Sequence, residues 1–376
     1  MNFETSVLHR NHNTQRKIKS KVTPIYQTSA FAFSDLDELE GFYQGNGNYL
    51  YSRVGNPNTD ELGELIAGLE GAPAGTAASS GLSAILAGVL AVVKSGDHIV
   101  AADDLYGGSF HLIKEELTQL GIEVTFVPFS DAHQVEGAIR KNTKLLYSES
   151  ITNPLLRVEN LEDVVRLAKK HHLVTLIDNT FATPYHCQPY LKGIDLVVHS
   201  ATKYIGGHSD ITAGVLAGNE ELVGKARTKI INLGANLSPF EAWLTCRGAK
   251  TLALRMKQQS ANASKVARAL EQKVNKVYYP SQHGEEGFGA IVTIELSEST
   301  DVNAFFKELG WIKIVPTLAG VETSVSHPLT TSHRALPPEV SKELGITKHV
   351  VRISIGIEHA DDIIAQLNEA VNRSQG

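Results

Sequence analysis

Cysteine is scarce in this sequence, and the scarcity excludes two kinds of structural support. Only Cys187 and Cys246 occur among 376 residues, and they stand in no CxxC spacing. A disulfide framework needs several cysteines and a thiolate zinc site needs closely spaced ones, so the sequence predicts neither. Few unpaired cysteines are typical of a reducing compartment, and we therefore expect a cytoplasmic location.

An excess of positive charge is also missing. The chain has 35 Lys and Arg residues against 41 Asp and Glu residues, which gives a net charge of −6. No basic field is therefore available to attract nucleic acid or an anionic membrane surface, and we expect neither as a partner. Hydrophobic residues make up 42% of the chain and charged residues 20%, as in an ordinary globular protein.

No apolar run is long enough to cross a bilayer. The most apolar stretch, residues 82–93, is followed at once by Lys94, whereas a transmembrane helix needs about 20 apolar residues. This stretch is predicted to be a buried helix. The first residues, MNFETSVLHRNHNTQRK, mix charged and polar side chains without an apolar core, so we expect no secretory signal.

The motifs of several large enzyme classes are missing. Segments 45–50 (GNGNYL) and 287–292 (GFGAIV) begin with GxG, but both lack the third glycine of a dinucleotide-binding loop. No GxxxxGK[ST], HExxH or GxSxG motif occurs. The sequence therefore disfavours a dehydrogenase, a P-loop NTPase, a zinc peptidase and an α/β-hydrolase, and it predicts no metal centre.

What the chain does contain is a series of short apolar segments that alternate with helical patterns. Helical periodicity covers residues 109–120, 132–140 and 161–172. Uniformly apolar strands separated by helices are typical of a mostly parallel sheet covered on both faces. The sequence therefore predicts an α/β domain. Its predicted strands cover residues 98–102, 123–129, 144–150, 173–179, 195–202 and 214–218.

The regions on either side differ from this alternating pattern. Residues 1–58 are predicted to form an N-terminal arm, because they combine an extended segment with a stretch rich in Gly, Asn and aromatic residues. The α/β domain is assigned to 59–236. Residues 237–376 begin with a long helical stretch, continue with strands at 290–296 and 349–356, and end in a helix. This mixture predicts a smaller C-terminal α+β domain.

A lysine with hydroxyl neighbours follows one of the predicted strands. Lys203 comes directly after the apolar segment 195–202, and Ser200 and Thr202 stand beside it. Partial desolvation lowers the pKa of a lysine and makes its amine competent to form a Schiff base. The helix that opens at Gly81 offers unpaired N–H groups and a favourable dipole for a phosphate. An amine above a phosphate cradle indicates pyridoxal phosphate.

An acidic residue ends another apolar strand. Asp178 lies at the end of the apolar part of the segment 173–179, where an unpaired carboxylate would be costly, so it needs a cationic partner. A protonated pyridine nitrogen is such a partner, and a carboxylate beside it keeps the cofactor ring an electron sink. Tyr106 follows a further strand end and is placed to stack on the same ring.

A series of motifs resembles those of one enzyme family. The motifs are YSRVGNPN (51–58), SSGLSA (79–84), DDLYGG (103–108), TNP (152–154), DNTFATP (178–184), HSATKYIGGH (199–208) and RISIG (352–356). By these motifs, which span nearly the whole chain, the protein is identified as a member of the Cys/Met-metabolism family of pyridoxal-phosphate enzymes. The resemblance implies the fold-type I architecture of pyridoxal-phosphate-dependent transferases, with pyridoxal 5'-phosphate bound in the domain 59–236.

The resemblance also implies a role for each matching residue near the cofactor. Lys203 would bind the cofactor and shuttle protons, Asp178 would pair with the pyridine nitrogen, and Tyr106 would stack on the ring and assist proton transfer. Tyr51 and Arg53 would reach the cofactor phosphate of a neighbouring subunit, which implies a homodimer with shared sites, assembled into a tetramer. Within the same subunit the phosphate would be held by Ser200, Thr202, Gly81 and Leu82.

Further residues would bind the substrate. Arg352, in the segment RISIG, would bind the α-carboxylate bidentately, with Asn153 and the backbone near Thr323 assisting. The chain departs from the family where a distal group would be bound. Leu50 stands where cystathionine-handling members often have an acidic residue, and His111 stands where they often have an arginine. A protonated His111 can still bind an anion.

The chemistry that the resemblance implies is cleavage of a carbon–sulfur bond in a small sulfur amino acid. We expect α,γ-elimination on a homocysteine skeleton (homocysteine, methionine or cystathionine), which gives 2-oxobutanoate, ammonia and a thiol. Leu50 and His111 disfavour a dedicated cystathionine enzyme, and Gly108 stands where methionine γ-lyases typically have a cysteine. The alternative is a γ-replacement synthase, such as cystathionine γ-synthase or O-acetylhomoserine sulfhydrylase.

Overall fold

The strands of the computed structural model form a large sheet and a smaller one. The structure describes residues 1–9, 20–46, 49–280, 287–334 and 336–375. In chain order the described strands are β1 (Ala74–Ala78), β2 (His98–Ala102), β3 (Glu123–Val127), β4 (Thr143–Glu149), β5 (Val174–Asp178), β6 (Leu196–Ser200), β7 (Gly214–Gly218), β8 (Lys276–Tyr278), β9 (Ile291–Glu295), β10 (Lys313–Ile314), β11 (Ser324–Ser326) and β12 (Val350–Ser354).

Helices cover both sheets and connect their strands. They are α1 (Phe3–His9), α2 (Leu36–Tyr43), α3 (Pro57–Glu70), α4 (Gly81–Leu90), α5 (Gly107–His111), α6 (Leu117–Gln119), α7 (Ala132–Gly137), α8 (Leu161–His171), α9 (Thr183–His186), α10 (Glu220–Leu233), α11 (Pro239–Ala249), α12 (Leu252–Leu270), α13 (Val302–Lys307), α14 (Pro338–Glu343) and α15 (Ala360–Ser374), with a π-helical turn at Leu112–Glu116 between α5 and α6. None of these described helices combines the length and apolarity that a membrane span requires.

The large sheet has the strand order β1-β7-β6-β5-β4-β2-β3. The pairs β2–β3, β2–β4, β4–β5 and β5–β6 are parallel, whereas β7 is antiparallel to both β1 and β6. Every residue of β2 and β7 is buried, as expected of strands covered on both faces. The predicted mostly parallel α/β domain is therefore confirmed, and each of its predicted strands is present.

Strand β1 is not among the predicted strands, because its sequence AGTAA carries no strong apolar signal. The structure explains its small residues. A Cβ atom on Gly75 would lie 2.3 Å from the carbonyl oxygen of Gly63 in α3, and one on Gly63 would lie 2.6 Å from the oxygen of Gly75. Strand and helix therefore pack backbone to backbone, and only glycine permits this approach.

The sequence predicts one continuous helical stretch after residue 237, and this is wrong in detail. The stretch is split into α11 and α12 between Ala249 and Leu252. A Cβ atom on Gly248 would lie 2.1 Å from the carbonyl oxygen of Gly206, so the end of α11 presses against the turn that follows β6. From α12, Arg255 donates hydrogen bonds to the carbonyl oxygens of Tyr204 at 2.6 Å and Gly248 at 3.0 Å. These contacts on either side of the break hold the turn that contains Lys203.

The smaller sheet has the order β10-β11-β12-β9-β8, with β12 antiparallel to both of its neighbours. Helices α12, α13 and α15 pack on it around a second hydrophobic cluster that includes Phe305, Ile353 and Leu367. The two predicted C-terminal strands correspond to β9 and β12, and the closing helix corresponds to α15.

The N-terminal segment contains two helices, α1 and α2, that the sequence does not predict. Its extended part is tied to the start of α3 by asparagines of the YSRVGNPN motif. Asn58 accepts a hydrogen bond from the Tyr26 N–H at 2.8 Å, and Asn56 donates one to the Tyr26 carbonyl at 2.9 Å. Asn56 is also the N-cap of α3, where its side chain accepts from the Asn58 N–H.

Candidate active site

One cavity opens at the carboxyl ends of the parallel strands, the place where open α/β sheets bind ligands. It lies between the large sheet, the start of α4, strand β12 of the smaller sheet and the loop between β10 and β11. Its lining includes seven residues that the sequence analysis predicts to bind the cofactor. It also includes Glu149 and Thr317, which the sequence does not predict as site residues. The predicted residues are Gly81, Leu82, Tyr106, Asp178, Ser200, Thr202 and Lys203, and Asn153 and Arg352 of the predicted substrate site join them.

Lys203 lies in the turn that follows β6. The turn is held by hydrogen bonds from the Lys203 N–H to the Ser200 carbonyl at 3.0 Å and from the Gly207 N–H to the Lys203 carbonyl at 2.7 Å. The side chain points into the cavity, where Nζ donates a hydrogen bond to Thr317 Oγ1 at 2.9 Å. Burial, reinforced by the positive charge of Arg352, lowers the pKa of Lys203 to about 8. A larger fraction of this amine is therefore unprotonated at neutral pH, and able to act as a nucleophile or accept a proton, than of an exposed lysine.

Asp178 is the last residue of β5, and its carboxyl group faces the same cavity. Its Oδ1 accepts hydrogen bonds from the Thr180 N–H at 2.9 Å and the Thr180 hydroxyl at 2.5 Å. Burial raises the pKa of Asp178, while the Thr180 donors and the nearby His199 oppose the rise. Among the described residues, hydrogen-bond donors are found at Oδ1 and not at Oδ2, so a cationic ligand group can be bound at Oδ2.

The start of α4 forms a cradle against the end of β6. Ser80 is the N-cap, and its Oγ accepts a hydrogen bond from the Ser83 N–H at 3.1 Å. A Cβ atom on Gly81 would lie 2.6 Å from Ser200 Cβ and 2.8 Å from Ser200 Oγ, so helix and strand meet without space for a methyl group. The first N–H groups of the helix lack intrahelical partners and therefore suit an anion.

Thr202 lines this cradle, but its hydroxyl is already engaged with the backbone. Thr202 Oγ1 donates to the Ala213 carbonyl at 3.2 Å and accepts from the Ala213 N–H at 3.0 Å. Its hydrogen is therefore not free for an anion in this arrangement. Ser200 and the helix start are the better donors.

Tyr106 reaches the cavity from the loop after β2. Its backbone N–H donates a hydrogen bond to Glu149 Oε1 at 2.7 Å. Glu149 is the last residue of β4 and is buried. The sequence carries the same signal for Glu149 as for Asp178, an acidic residue at the end of an apolar strand, yet only Asp178 is among the predicted site residues.

Arg352 enters the cavity from β12 of the smaller sheet. Its guanidinium is buried, and Nη1 donates to Asn153 Oδ1 at 2.9 Å. Nη2 donates to the Thr317 carbonyl at 3.5 Å, and Nε has no partner among the described residues. A buried guanidinium with a free donor suits a carboxylate, which it can bind in bidentate geometry.

Four predicted site residues do not line this cavity. The Thr323 hydroxyl already makes hydrogen bonds with the backbone and with Glu358, whose Oε2 accepts from this hydroxyl at 2.8 Å. His111 lies on the exposed side of α5, with Nε2 4.0 Å from a Glu116 carboxylate oxygen. The other two, Tyr51 and Arg53, contact each other, with the guanidinium 5.7 Å from the centre of the tyrosine ring.

Thr317 is a residue of the cavity that the sequence does not single out. It lies in the loop between β10 and β11 and contacts both Lys203 and Arg352. No periodic pattern or strand end marks this threonine in the sequence. Only the packing of the smaller sheet against the large one brings it to the lysine.

The residues around the cavity fit pyridoxal 5'-phosphate. The start of α4 and Ser200 supply donors for a phosphate, Asp178 supplies a negative charge for a pyridinium nitrogen, and Lys203 supplies an amine for the aldehyde. The glycine at position 81 lets the start of α4 approach Ser200 closely, because a Cβ atom there would meet the Ser200 side chain. These groups come from different elements and converge on one space.

Comparisons with known proteins agree with this assignment. Residues 4–372 match the family model described as Cys/Met metabolism PLP-dependent enzyme. The cystathionine beta-lyase of Lactococcus lactis subsp. cremoris is 40% identical over 384 residues, which cover 99% of each chain.

Two solved structures extend the likeness to the fold. The cystathionine gamma-lyase of Lactobacillus plantarum, complexed with L-serine, superposes with a TM-score of 0.93 at 36% identity and full coverage of both chains. The cystathionine gamma synthase of Xanthomonas oryzae pv. oryzae, in complex with cystathionine, gives a TM-score of 0.92 at 33% identity, covering 100% of this chain and 98% of that one. The predicted fold-type I architecture is therefore confirmed.

Proposed function

Because the chain belongs to the Cys/Met metabolism family of pyridoxal-phosphate-dependent enzymes, we propose that it is a carbon–sulfur lyase that performs α,γ-elimination on a homocysteine-skeleton amino acid. One observation carries the part of the proposal that concerns removal of the Cα proton. Thr317 contacts the Lys203 amine through its hydroxyl and the Arg352 guanidinium through its carbonyl. The base and the carboxylate-binding group are thereby held on one residue.

Different side chains of the cavity bind the substrate and transfer protons. When bound, pyridoxal phosphate supplies an electron sink for the negative charge that develops at the substrate Cα. Arg352, supported by Asn153, binds the substrate α-carboxylate and so orients Cα toward Lys203. The Lys203 amine, with its pKa lowered to about 8, removes the Cα proton and then moves a proton at Cβ, as departure of a γ-substituent requires.

The charged residues of the cavity favour a substrate that has a single carboxylate. Its described lining contains two acidic residues, Glu149 and Asp178, and two basic ones, Lys203 and Arg352. Arg352 serves the α-carboxylate, which leaves no second arginine in that lining for the distal carboxylate of cystathionine. This is consistent with the leucine at position 50 and with the outward position of His111. We therefore favour homocysteine and methionine over cystathionine.

A second candidate reaction is β-elimination from cystathionine. It is favoured by the 40% identity to an enzyme named cystathionine beta-lyase. The same base and the same carboxylate clamp serve this reaction, because only the Cα proton has to be removed. The γ-replacement alternative is supported by the likeness to the Xanthomonas synthase. The three reactions differ in the leaving group and in the fate of the carbon skeleton.

The site is further proposed to be shared between two subunits of a homodimer, which pair into a tetramer. Tyr51 is 43% exposed, and Arg53 lies beside it outside the cavity of its own chain. Within the part of the chain that the structure describes, Arg53 Nη1 donates a single long hydrogen bond, of 3.5 Å, to the Ile231 carbonyl. Both side chains are therefore available to reach the cofactor phosphate of a partner.

Product analysis tests the proposed reaction. Cofactor-loaded protein is incubated with L-homocysteine, L-methionine and L-cystathionine at equal concentration, and 2-oxobutanoate and pyruvate are measured separately. We expect 2-oxobutanoate, formed fastest from homocysteine or methionine. Pyruvate from cystathionine as the main product would instead establish β-elimination. No oxoacid, together with thioether formation from an O-acyl-homoserine and a thiol, would establish the replacement reaction. The Lys203→Ala variant is the control for background release.

A further inference from the structure

The ends of β4 and β5 place two carboxyl groups side by side in the cavity. Glu149 and Asp178 are the last residues of their strands and are direct partners in the parallel register. Neighbouring strands lie about 4.8 Å apart, and paired residues of parallel strands point to the same face. Both side chains accordingly line the same cavity.

Glu149 is held in this position by the loop that carries Tyr106. Its Oε1 accepts the Tyr106 backbone N–H at 2.7 Å. This hydrogen bond links the loop after β2 to the end of β4 and so determines where the Tyr106 ring stands. A protonated carboxyl group makes the same bond with its carbonyl oxygen, and it keeps its O–H for another partner.

The charges that face Glu149 are mostly negative. Asp178 faces it from β5 and Asp104 from the loop after β2. Buried Tyr147 precedes it on the same strand, β4. The nearby cation is Arg157, which is already bound by Asp104 at 2.7 Å and by Glu159 at 3.1 Å. Among the described residues, Glu149 itself makes no ion pair within 4.0 Å.

We propose that Glu149 is a positioning residue that acts as a neutral carboxylic acid, holding the Tyr106 loop while leaving Asp178 as the single negative charge at the cofactor's pyridine nitrogen. Two adjacent ionised carboxyls in a buried site repel each other and are poorly solvated, so one of them keeps its proton. Burial and the charge of Asp178 raise the pKa of Glu149 well above its usual range.

The two carboxyls differ in their surroundings in the direction that this assignment requires. Asp178 receives hydrogen bonds from the Thr180 N–H and hydroxyl, which stabilise its ionised form. Among the residues that the structure describes, Glu149 receives one, from the Tyr106 N–H. A pyridinium nitrogen beside Asp178 would stabilise the ionised form of Asp178 further. The proton therefore resides on Glu149. The inference requires the bound cofactor but does not depend on which sulfur amino acid is the substrate.

Infrared difference spectroscopy tests the protonation state directly. Spectra of cofactor-loaded wild type and of Glu149→Gln are recorded at neutral pH, in H2O and D2O, without substrate. We expect the substitution to remove the C=O stretching band of a protonated carboxyl group. The matched control is Glu136→Gln on α7, whose carboxylate binds Lys170 and His171 and has its pKa lowered to about 2. This control should remove carboxylate bands. Loss of carboxylate bands in Glu149→Gln would overturn the proposal.

Kinetics separate the positioning role from a role for charge. Glu149→Gln keeps a carbonyl acceptor for the Tyr106 N–H and is neutral, whereas Glu149→Ala removes the acceptor. We expect kcat/KM to fall less than about tenfold for Glu149→Gln and more than about tenfold for Glu149→Ala, since a displaced ring misaligns the site. Equally large losses in the two variants would contradict a neutral Glu149, and equally small losses would contradict its positioning role. The infrared result stands even if the oxoacid assay fails, so a wrong reaction assignment remains distinguishable.

Discussion

The Thr317 hydroxyl accepts a hydrogen bond of 2.9 Å from the Lys203 amine. An acceptor at this distance limits the rotamers of the lysine and holds its nitrogen beside Thr317, which also contacts Arg352. We predict that Thr317→Val, which keeps the shape but removes the oxygen, lowers kcat/KM by roughly tenfold to a hundredfold, because general-base catalysis depends on positioning. Thr317→Ser should retain most of the activity.

Steady-state kinetics on cofactor-loaded protein check this prediction. The visible absorbance of the bound cofactor should be preserved in both variants, which separates an effect on proton transfer from loss of the cofactor. Thr228→Val, on the exposed side of α10, is the matched control for the same chemical change. Similar kcat/KM values for Thr317→Val and wild type would show that the hydrogen bond does not matter for catalysis.

The cradle at the start of α4 gives a second prediction. A methyl group on Gly81 would lie 2.6 Å from Ser200 Cβ and 3.0 Å from Ser200 Cα, so Gly81→Ala must push helix and strand apart. We expect affinity for pyridoxal phosphate to fall at least about tenfold, since donors must lie within hydrogen-bond distance of the phosphate. Fluorescence titration of cofactor-free protein measures this.

A glycine with open surroundings provides the control. Gly224 lies within α10, and a Cβ atom added there would have nothing within 4 Å. Gly224→Ala should leave cofactor affinity unchanged and stabilise the fold by about 0.5 to 1 kcal/mol, the usual gain in a helix interior. Urea denaturation measures the stability of both variants. Equal cofactor affinity in Gly81→Ala and Gly224→Ala would refute the cradle.

The sequence was informative where chemistry and periodicity coincide. Asp178 and Lys203 could be predicted because each follows an apolar strand, and the carboxyl ends of neighbouring parallel strands meet. The family resemblance then supplied Asn153 and Arg352, which the structure brings to the same cavity. The parallel order of the sheet followed from the alternation of strands and helices.

What the sequence could not show depends on packing between distant segments. Thr317 lies 114 positions from Lys203, in a loop without a periodic pattern, and becomes visible only when the smaller sheet is in place. Strand β1 was not predicted, because its small residues allow a close backbone contact with α3 and do not form the apolar pattern that marks a strand. His111 stands at a position where cystathionine-handling members of the family often have an arginine, but its helix turns that position toward solvent.

The lowered pKa of Lys203 gives a prediction about pH. An exposed lysine has a pKa of about 10.4, whereas burial and the charge of Arg352 lower that of Lys203 to about 8. Because its pKa is lowered, the neutral, reactive amine of Lys203 becomes the major form above a pH of about 8, whereas an exposed lysine reaches this point at a higher pH. In cofactor-free protein, the rate of reaction with pyridoxal should rise as pH increases through about 8 and then level off.

Rapid-mixing absorbance measurements across the pH range check the midpoint. The Lys203→Met variant should lack this fast phase and should show only slow reaction of surface lysines, whose rates continue to rise toward higher pH. A wild-type midpoint near the value of an exposed lysine would show that the amine is solvated. It would also remove the reason to regard Lys203 as a neutral base near physiological pH.

The position of Arg53 outside the cavity of its own chain gives a last prediction, about the assembly. If Arg53 binds the phosphate in the partner's site, Arg53→Ala disables the neighbouring site, whereas Lys203→Ala disables its own. A hybrid dimer of the two variants then contains one intact site and one doubly disabled site. Because half of randomly assembled dimers are hybrids, co-refolding the two inactive variants should restore roughly a quarter of wild-type activity.

The control for this complementation mixes Lys203→Ala with a variant whose defect lies in the same subunit's site. Lys203→Ala combined with Asp178→Ala should restore nothing, because both residues serve the site of their own chain and every hybrid site then lacks one of them. Activity in the Arg53 mixture but not in the Asp178 mixture can arise only from a site built by two subunits. No recovery in either mixture, with hybrid formation verified by differently tagged chains, would mean that Arg53 does not act across an interface. The cofactor phosphate would then depend on the start of α4 and on Ser200 alone.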